Sequence, residues 1–136
     1  LYALEPIRNE WARGCKVGEF QALDYFIERA TELNLSEATK IRLRPHPSDP
    51  PGKYDAWMAE HHNWNIKIDP IRNLAKSISW ADTVVGCETY ALVVGLAAGR
   101  CVISSLPPNA PKCRLPMQGI INLSELPSHN YLKEPL

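Results

Sequence analysis

The pattern of apolar and polar residues is clearest between residues 81 and 104, where two short β-branched runs flank an apolar segment of small residues. Thr83 to Val85 and Cys101 to Ser104 have the composition of buried strands. Thr89 to Ala98 predicts a helix between them, ended by Gly99 at its C′ position. The pattern is typical of one strand-helix-strand unit of a parallel sheet. The helix is apolar on nearly every side, so we expect it to pack closely on that sheet.

Helical and strand periodicity also continue on both sides of this unit. Apolar residues between Phe20 and Ala30 recur at helical spacing and predict an amphipathic helix to about Leu33, ended by Asn34. Further helices are predicted over about 53–62 and from Asp69-Pro70 to about residue 78, with Asp69 as the N-cap and Pro70 at the first helical position.

Six predicted strands lie near residues 2, 42, 67, 84, 102 and 121 and alternate with these helices, while the segment from Pro6 to Gly18 is interpreted as a long loop. This alternation predicts one α/β domain over residues 1–126 with a doubly wound, mostly parallel, Rossmann-like sheet. Residues 127–136 form a predicted C-terminal tail.

Composition fits a protein that buries an ordinary core, since 45% of its 136 residues are hydrophobic and 22% are charged. The 15 basic and 15 acidic residues balance, so charge gives no argument for nucleic acid as a partner. The four cysteines lack the paired spacing of a zinc or redox motif, which favours reduced thiols and a cytoplasmic protein. The sequence has no apolar run as long as a membrane span, about 20 residues. It begins at Leu1 rather than Met, and we expect it to be a piece of a longer protein.

Candidate site residues follow from the rule that ligands of open α/β sheets lie beyond the carboxyl ends of the strands. Backbone N–H groups at the start of the helix near Thr89 would favour an anionic ligand there. The polar or permissive residues just after the second, fourth and fifth predicted strands are Arg44, His46, Ser48, Gly86, Glu88, Thr89, Tyr90 and Ser104.

Each of these candidates also has a purely structural interpretation. Pro45 and Pro47 hold His46 either for donation to a phosphate or for a hydrogen bond within a rigid turn. Glu88 either accepts from sugar hydroxyls or stabilises the helix N-terminus. Cys87 follows a strand and a glycine but lacks the second glycine of a nucleophile elbow, so a catalytic thiol is disfavoured.

Several familiar sites are disfavoured by the sequence. No Gly-x-Gly-x-x-Gly or Gly-x-x-x-x-Gly-Lys pattern is present, which argues against a usual dinucleotide or P-loop site. His61 and His62 lack acidic or thiol neighbours in the sequence, so no metal site is predicted. Three tryptophans are assigned to core and helix-sheet packing rather than to stacking on bases: Trp57, Trp64 and Trp80.

A resemblance to the C-terminal half of GT-B glycosyltransferases rests on three stretches, which are Arg44-Pro45-His46-Pro47, Ala81-Asp82-Thr83-Val84-Val85-Gly86 and Gly99-Arg100-Cys101-Val102-Ile103. Within that fold the chain is most similar to bacterial surface-polysaccharide enzymes. These include the sialyltransferases and polysialyltransferases with a His-Pro motif and the glycerophosphotransferases of teichoic acid synthesis. The resemblance covers roughly residues 1 to 126.

The resemblance implies that this half binds the nucleotide of an activated sugar donor, with CMP-sugar, UDP-sugar and CDP-glycerol all open. It places the phosphate contact and the catalytic role on His46, and a second phosphate contact on Thr89. The family usually has serines before the later helix, whereas this chain has Cys87-Glu88-Thr89 and retains one hydroxyl. The glycan acceptor and the catalytic base are expected in an N-terminal half that these residues do not include.

The sequence thus predicts the donor-binding domain of a metal-independent glycosyltransferase that needs no cofactor and acts in capsule or cell-surface polysaccharide synthesis. The full-length protein is expected in the cytoplasm, at the inner face of the membrane, and the isolated chain is expected not to transfer sugar. Two alternatives remain open, a nucleotide-sugar epimerase-like domain and a non-catalytic domain that binds a nucleotide or a partner.

Overall fold

The computed structural model describes residues 1–7 and 17–127. Within these ranges the strands are β1 (Tyr2–Ala3), β2 (Ile41–Arg44), β3 (Ile66–Ile68), β4 (Thr83–Gly86), β5 (Cys101–Ser104) and β6 (Ile120–Asn122). The α-helices are α1 (Gly18–Glu28), α2 (Asp55–Glu60), α3 (Leu74–Trp80) and α4 (Tyr90–Ala97). Short 3-10 helices cover Ala30–Leu33 and Leu123–Glu125. No helix in the described part of the chain is long and apolar enough to cross a bilayer.

All six of these strands are parallel and form one sheet in the order β3-β2-β1-β4-β5-β6. After β1 the chain adds β2 and β3 on one side of β1. It then returns to the other side of β1 and adds β4, β5 and β6. The sheet therefore has a topological switch point between β1 and β4, the place where ligands bind in doubly wound folds. The prediction of a doubly wound, Rossmann-like α/β sheet is confirmed.

Two core clusters cover the two faces of the sheet. Strand residues alternate between the faces, so that Val85 packs with α1 and α2 whereas its neighbour Val84 packs with α3 and α4. The first cluster is centred on Leu23 of α1 and Trp57 of α2, and the second on Leu92 of α4. The two helix layers thus cover opposite faces of the sheet.

The helix ends agree with the sequence at two positions. Asn34 has φ of 60° and ends the 3-10 continuation of α1, as predicted. Gly99 follows helix α4 at φ of 74°, also as predicted, whereas Thr89, predicted as the first helical residue, is the N-cap. The predicted loop over 6–18 and the predicted tail fall largely outside the described residues.

The prediction that α3 begins at Pro70 with Asp69 as its N-cap is wrong. The helix begins at Leu74, and the side chain of Asn73 caps it by accepting a hydrogen bond from the Lys76 N–H at 3.1 Å. Asp69 instead binds the guanidinium of Arg44 at 3.0 Å. The segment between Asp69 and Asn73 stays non-helical and supplies further acceptors to that guanidinium.

Candidate functional site

Strand register places three polar residues in one row along the carboxyl edge of the sheet. Ala3 of β1 pairs with Arg44 of β2, and beyond these strand ends Glu5 and His46 are close enough to interact electrostatically. Tyr2 pairs with Val85 of β4, which brings Glu88 to the height of Glu5 on the other side. Because adjacent strands are about 4.8 Å apart, the row His46, Glu5, Glu88 spans the switch point. We refer to it as the switch-point row.

His46 lies in a tight loop directly after β2. The Ser48 N–H lies 3.1 Å from the ring Nδ1 of His46, and the Ser48 hydroxyl lies 2.7 Å from the same nitrogen. A nitrogen that receives a backbone N–H is an acceptor, so this geometry suits the tautomer with its proton on Nε2. Two of the predicted residues, His46 and Ser48, are thus brought together, and Nε2 is left as a hydrogen-bond donor.

A charged network fixes the loop that carries His46. Asp49 accepts from the His46 N–H at 3.0 Å and from Lys53 Nζ at 2.8 Å. Lys53 also binds Glu19 of α1 at 2.7 Å. Burial alone would raise the pKa of Asp49, but the hydrogen bonds from Lys53 and His46 bring it below its ordinary value. The Asp49 carboxylate therefore stays charged and holds the His46 backbone in place.

Arg44 was predicted to contact the ligand, and the structure places its side chain inside the fold. Its guanidinium donates to Asp69 at 3.0 Å and to Ser77 at 2.9 Å, and it also donates to the carbonyls of Ile71 and Arg72 at 2.6 Å each. These contacts tie β2 to the segment before α3. Arg44 thus stabilises the fold next to the site, and both its Nη1 and Nη2 groups donate to other parts of the protein.

The start of α4 lies on the other side of the switch point from His46, and we call the space between the His46 loop and Thr89 the crevice, with these two segments as its walls. Thr89 is the N-cap, and its hydroxyl accepts from the Ala91 N–H at 3.4 Å. Gly86 lets β4 approach this helix closely, because a Cβ there would lie 2.7 Å from the Thr89 methyl group and 3.0 Å from the Ala3 carbonyl oxygen. Tyr90 is 71% exposed at the first helical position, an unusual place for a large aromatic ring.

Glu88 binds Arg114 from the segment between β5 and β6. Its carboxylate accepts from the Arg114 backbone N–H at 2.8 Å and from the guanidinium at 3.2 and 3.1 Å. Burial would raise the pKa of Glu88, but the bonds from Arg114 hold it below its ordinary value. In this structure the Glu88 carboxylate ties the segment after β5 to the edge of the site.

Ser104 lies beneath the crevice rather than in it. It is buried, and its hydroxyl donates to the Cys87 carbonyl at 2.7 Å. Ser104 therefore supports the turn between β4 and α4, whereas the sequence placed it among the donor contacts.

Cys87 packs in a small buried cluster with Ala22 and Leu106. It is 4% exposed, and burial raises the pKa of its thiol to about 12. Nearby, the Tyr2 and Ser105 hydroxyls share a buried hydrogen bond of 2.6 Å. A thiol that stays protonated and buried is a poor nucleophile, which agrees with the sequence-based argument against a catalytic cysteine.

Glu5 is the crevice residue that the sequence reasoning missed. It follows β1, and its Oε1 accepts from the Glu88 N–H at 2.6 Å. Burial raises the pKa of Glu5; the hydrogen bond from Glu88 N–H opposes this shift, and the nearby Glu88 charge adds to it. Its position just after a predicted strand is a usable signal, but the sequence-based candidates come only from the residues after the second, fourth and fifth predicted strands.

A cavity of about 540 Å³ lies on the α1 face toward the amino edge of the sheet, away from the switch-point row. Its lining is largely apolar and includes Phe26, Leu33, Ile103 and Leu126, with Lys40 and Asp82 as the charged members. None of the predicted site residues lines it. We place the candidate site at the carboxyl edge, because polar groups converge there at the switch point.

Comparison of the chain with protein-family models, curated proteins and solved structures gave no match. Among residues 1–7 and 17–127, no three His, Cys, Asp or Glu side chains converge as a metal site would require. The function of the crevice must therefore be argued from its own geometry, which offers donors at His46 and at the start of α4 and an acceptor at Glu5.

Proposed function

We propose that this domain binds a nucleotide-activated sugar, as the donor-binding half of a GT-B glycosyltransferase that builds a cell-surface polysaccharide. The observation that carries the proposal is the placement of His46 and the α4 N-terminus on either side of the switch point of a doubly wound sheet. That is where such sheets bind nucleotides. The His-Pro stretch and the apolar helix named above give the proposal its family.

In this proposal the donor phosphate lies between the His46 ring and the start of α4. Nε2 of His46 donates a hydrogen bond to a phosphate oxygen, and the start of α4 faces the phosphate with the positive end of the helix dipole. Fixed donors stabilise the charge that develops as the bond between sugar and phosphate breaks. The exposed Tyr90 ring offers a surface for the nucleotide base or the sugar.

The remaining chemistry belongs to parts outside this domain. An acceptor-binding domain brings the glycan hydroxyl and a base to the crevice, and the whole enzyme works at the cytoplasmic face of the membrane. Protein donors take the place of a metal ion at the leaving phosphate in this scheme.

An epimerase-like function is the second candidate, and Glu5 is the observation that favours it. Epimerisation of a nucleotide sugar moves protons at the sugar and calls for acidic groups beside it. Glu5 adds a second carboxyl to Glu88 in the switch-point row. Glu88 already binds Arg114, so a glycosyltransferase remains the first proposed function.

Calorimetric titration against CMP, UDP, CDP and ATP in the presence of EDTA tests the proposal. We expect micromolar to millimolar binding of a pyrimidine nucleotide without metal. His46→Ala should weaken it by about 1.5 to 3 kcal/mol, which is about tenfold to a hundredfold, the usual scale for a hydrogen bond to a charged group.

His62→Ala is the matched control, because His62 is exposed just beyond the C-terminal end of α2 and, within the described part of the chain, its ring binds only the Ala59 carbonyl. Its affinity should equal that of the wild type. Absence of nucleotide binding at millimolar concentration, binding that requires a divalent metal, or unchanged affinity in His46→Ala would each contradict the proposed function.

A further inference from the structure

Glu5 occupies the middle of the crevice in which the proposed function places a phosphate. Register puts it between His46 on one side and Glu88 on the other, and its Oε1 already accepts from the Glu88 N–H. A phosphate that touches both His46 and the start of α4 must cross this position. His46 and the start of α4 therefore attract an anion, while Glu5 places a carboxyl group between them.

A carboxylate and a phosphate held side by side in a partly buried site repel each other strongly. Such pairs are relieved either by movement of one group or by a shared proton, as in two carboxylates that share one site. Movement of Glu5 would break its bond to the Glu88 N–H. A proton on Glu5 keeps that bond and turns the other oxygen into a donor toward the phosphate.

Resting on the proposed function, we propose that Glu5 takes up one proton from solvent when a phosphate-bearing ligand binds, and that its O–H group then donates a hydrogen bond to the phosphate. Glu5 is thus a third phosphate contact beside His46 and α4. It also makes ligand affinity depend on pH. No covalent bond changes in this step, and the proton is returned to solvent when the ligand leaves.

The surroundings of Glu5 favour this group over its neighbours as the proton acceptor. Glu88 is paired with Arg114 through three hydrogen bonds, which hold it in the charged form. Glu5 has no cationic partner within hydrogen-bond distance in the described part of the chain, and burial already raises its pKa. The titratable or charged groups that face it are His46 from the β2 loop, Cys87 and Glu88 from the β4 loop, Arg114 behind Glu88, and Tyr2 beneath it.

The test compares CMP binding by the wild type, Glu5→Gln and the control Glu60→Gln, which changes an exposed carboxylate at the end of α2. Calorimetry between pH 5.5 and 8.5 in buffers of different ionisation enthalpy gives both the affinity and the number of protons taken up. The phosphate of CMP itself changes protonation in this range, but the same ligand is used with all three proteins. The difference between wild type and Glu5→Gln therefore isolates Glu5.

We expect wild-type affinity to fall more steeply with rising pH than that of Glu5→Gln, by up to about tenfold per pH unit. At pH 8 Glu5→Gln should bind CMP about tenfold more tightly than the wild type, because its neutral amide accepts from the Glu88 N–H and donates to the phosphate. Glu60→Gln should match the wild type. Inorganic phosphate, which lacks the nucleoside, should show the same difference between wild type and Glu5→Gln.

Equal pH profiles and equal proton uptake in wild type and Glu5→Gln would overturn the inference while the proposed function stands. Weaker binding in Glu5→Gln would also overturn it, since Glu5 would then act as a charged acceptor of ligand hydroxyls. Failure of the wild type to bind at any pH would instead remove the proposed function, and this inference with it. If Glu5→Gln does not fold, Glu5→Ala takes its place, since it also removes the carboxyl group and should lose the same proton uptake relative to the wild type.

Discussion

Replacement of Arg44, at the carboxyl end of β2, tests whether this residue stabilises the fold or binds the ligand. In Arg44→Met the chain keeps its length and apolar stem but loses four hydrogen bonds, to Asp69, Ser77 and the carbonyls of Ile71 and Arg72. The Asp69 side chain is 1% exposed, so the variant leaves a buried carboxylate without its main cation.

The size of the effect follows from what Asp69 retains. Removal of one partner of a buried ion pair costs about 3 to 5 kcal/mol. Asp69 keeps the Ser77 hydroxyl at 2.5 Å, the Ile71 N–H at 3.2 Å and a distant contact with Arg42 at 4.0 Å. We therefore expect the lower end, about 3 kcal/mol of lost unfolding free energy, which corresponds to about 10 °C in melting temperature for a domain of this size.

Urea denaturation gives the free energy of unfolding, and CMP titration of the folded variant gives the affinity. Arg42→Met is the control, because Arg42 stacks on Trp80 at 3.9 Å and should cost only about 0.5 to 1 kcal/mol. Asp69→Asn in the Arg44→Met background should restore part of the loss, since it removes the unpaired charge. A loss below about 1 kcal/mol together with a large drop in affinity would refute this reasoning and return Arg44 to the ligand site.

Two further predictions concern the start of α4 and the thiol behind it. Gly86→Ala should destabilise the fold by about 1 to 3 kcal/mol and weaken CMP binding, because its Cβ would meet the Thr89 methyl group at 2.7 Å; Gly99→Ala, with φ of 74° but open space, should cost about 1 kcal/mol and spare binding. Equal CMP affinities of Gly86→Ala and the wild type would contradict the prediction that Gly86→Ala weakens binding. Cys87 should resist iodoacetamide at pH 8 while exposed Cys101 reacts, since burial raises the pKa of the Cys87 thiol to about 12. Peptide mapping that finds both modified at similar rates would show that Cys87 is accessible.

The fold could be predicted because its signals are local. Thr83 to Val85 and Cys101 to Ser104 are short β-branched or apolar runs, and both are strands of the sheet. Thr89 and Gly99 mark the two ends of α4 through capping chemistry that depends on a few neighbouring residues. Such local signals predict the structure correctly when no distant residue binds the same side chains.

The start of α3 was mispredicted because a distant group does compete. Asp69-Pro70 has the chemistry of a helix start, but Arg44 reaches Asp69 from a strand 25 residues away in sequence. The same contact removes Arg44 from the edge of the crevice. Sequence spacing gives the residue that follows a strand, but it does not give the direction in which a long side chain turns.

Glu5 was missed because its importance depends on strand order. Only the pairing of β1 with both β2 and β4 puts the end of β1 at the switch point. The sequence predicts how many strands there are and roughly where each lies, whereas their order comes from tertiary contacts. Until the strand order is known, the residues after β1 are therefore no stronger candidates for the site than the residues after any other strand.

The contacts that hold the two walls of the crevice support the proposal that a proton on Glu5 adjusts its charge. The His46 loop is held through Asp49 and Lys53 to Glu19 of α1, so the imidazole is in place before any ligand arrives. The opposite wall is fixed by close packing at Gly86. Prior ordering of both walls lowers the entropy cost of binding. Prior ordering also leaves the backbone little freedom to move Glu5 away from a bound phosphate. A proton on Glu5 removes the repulsion between Glu5 and the phosphate without moving either wall.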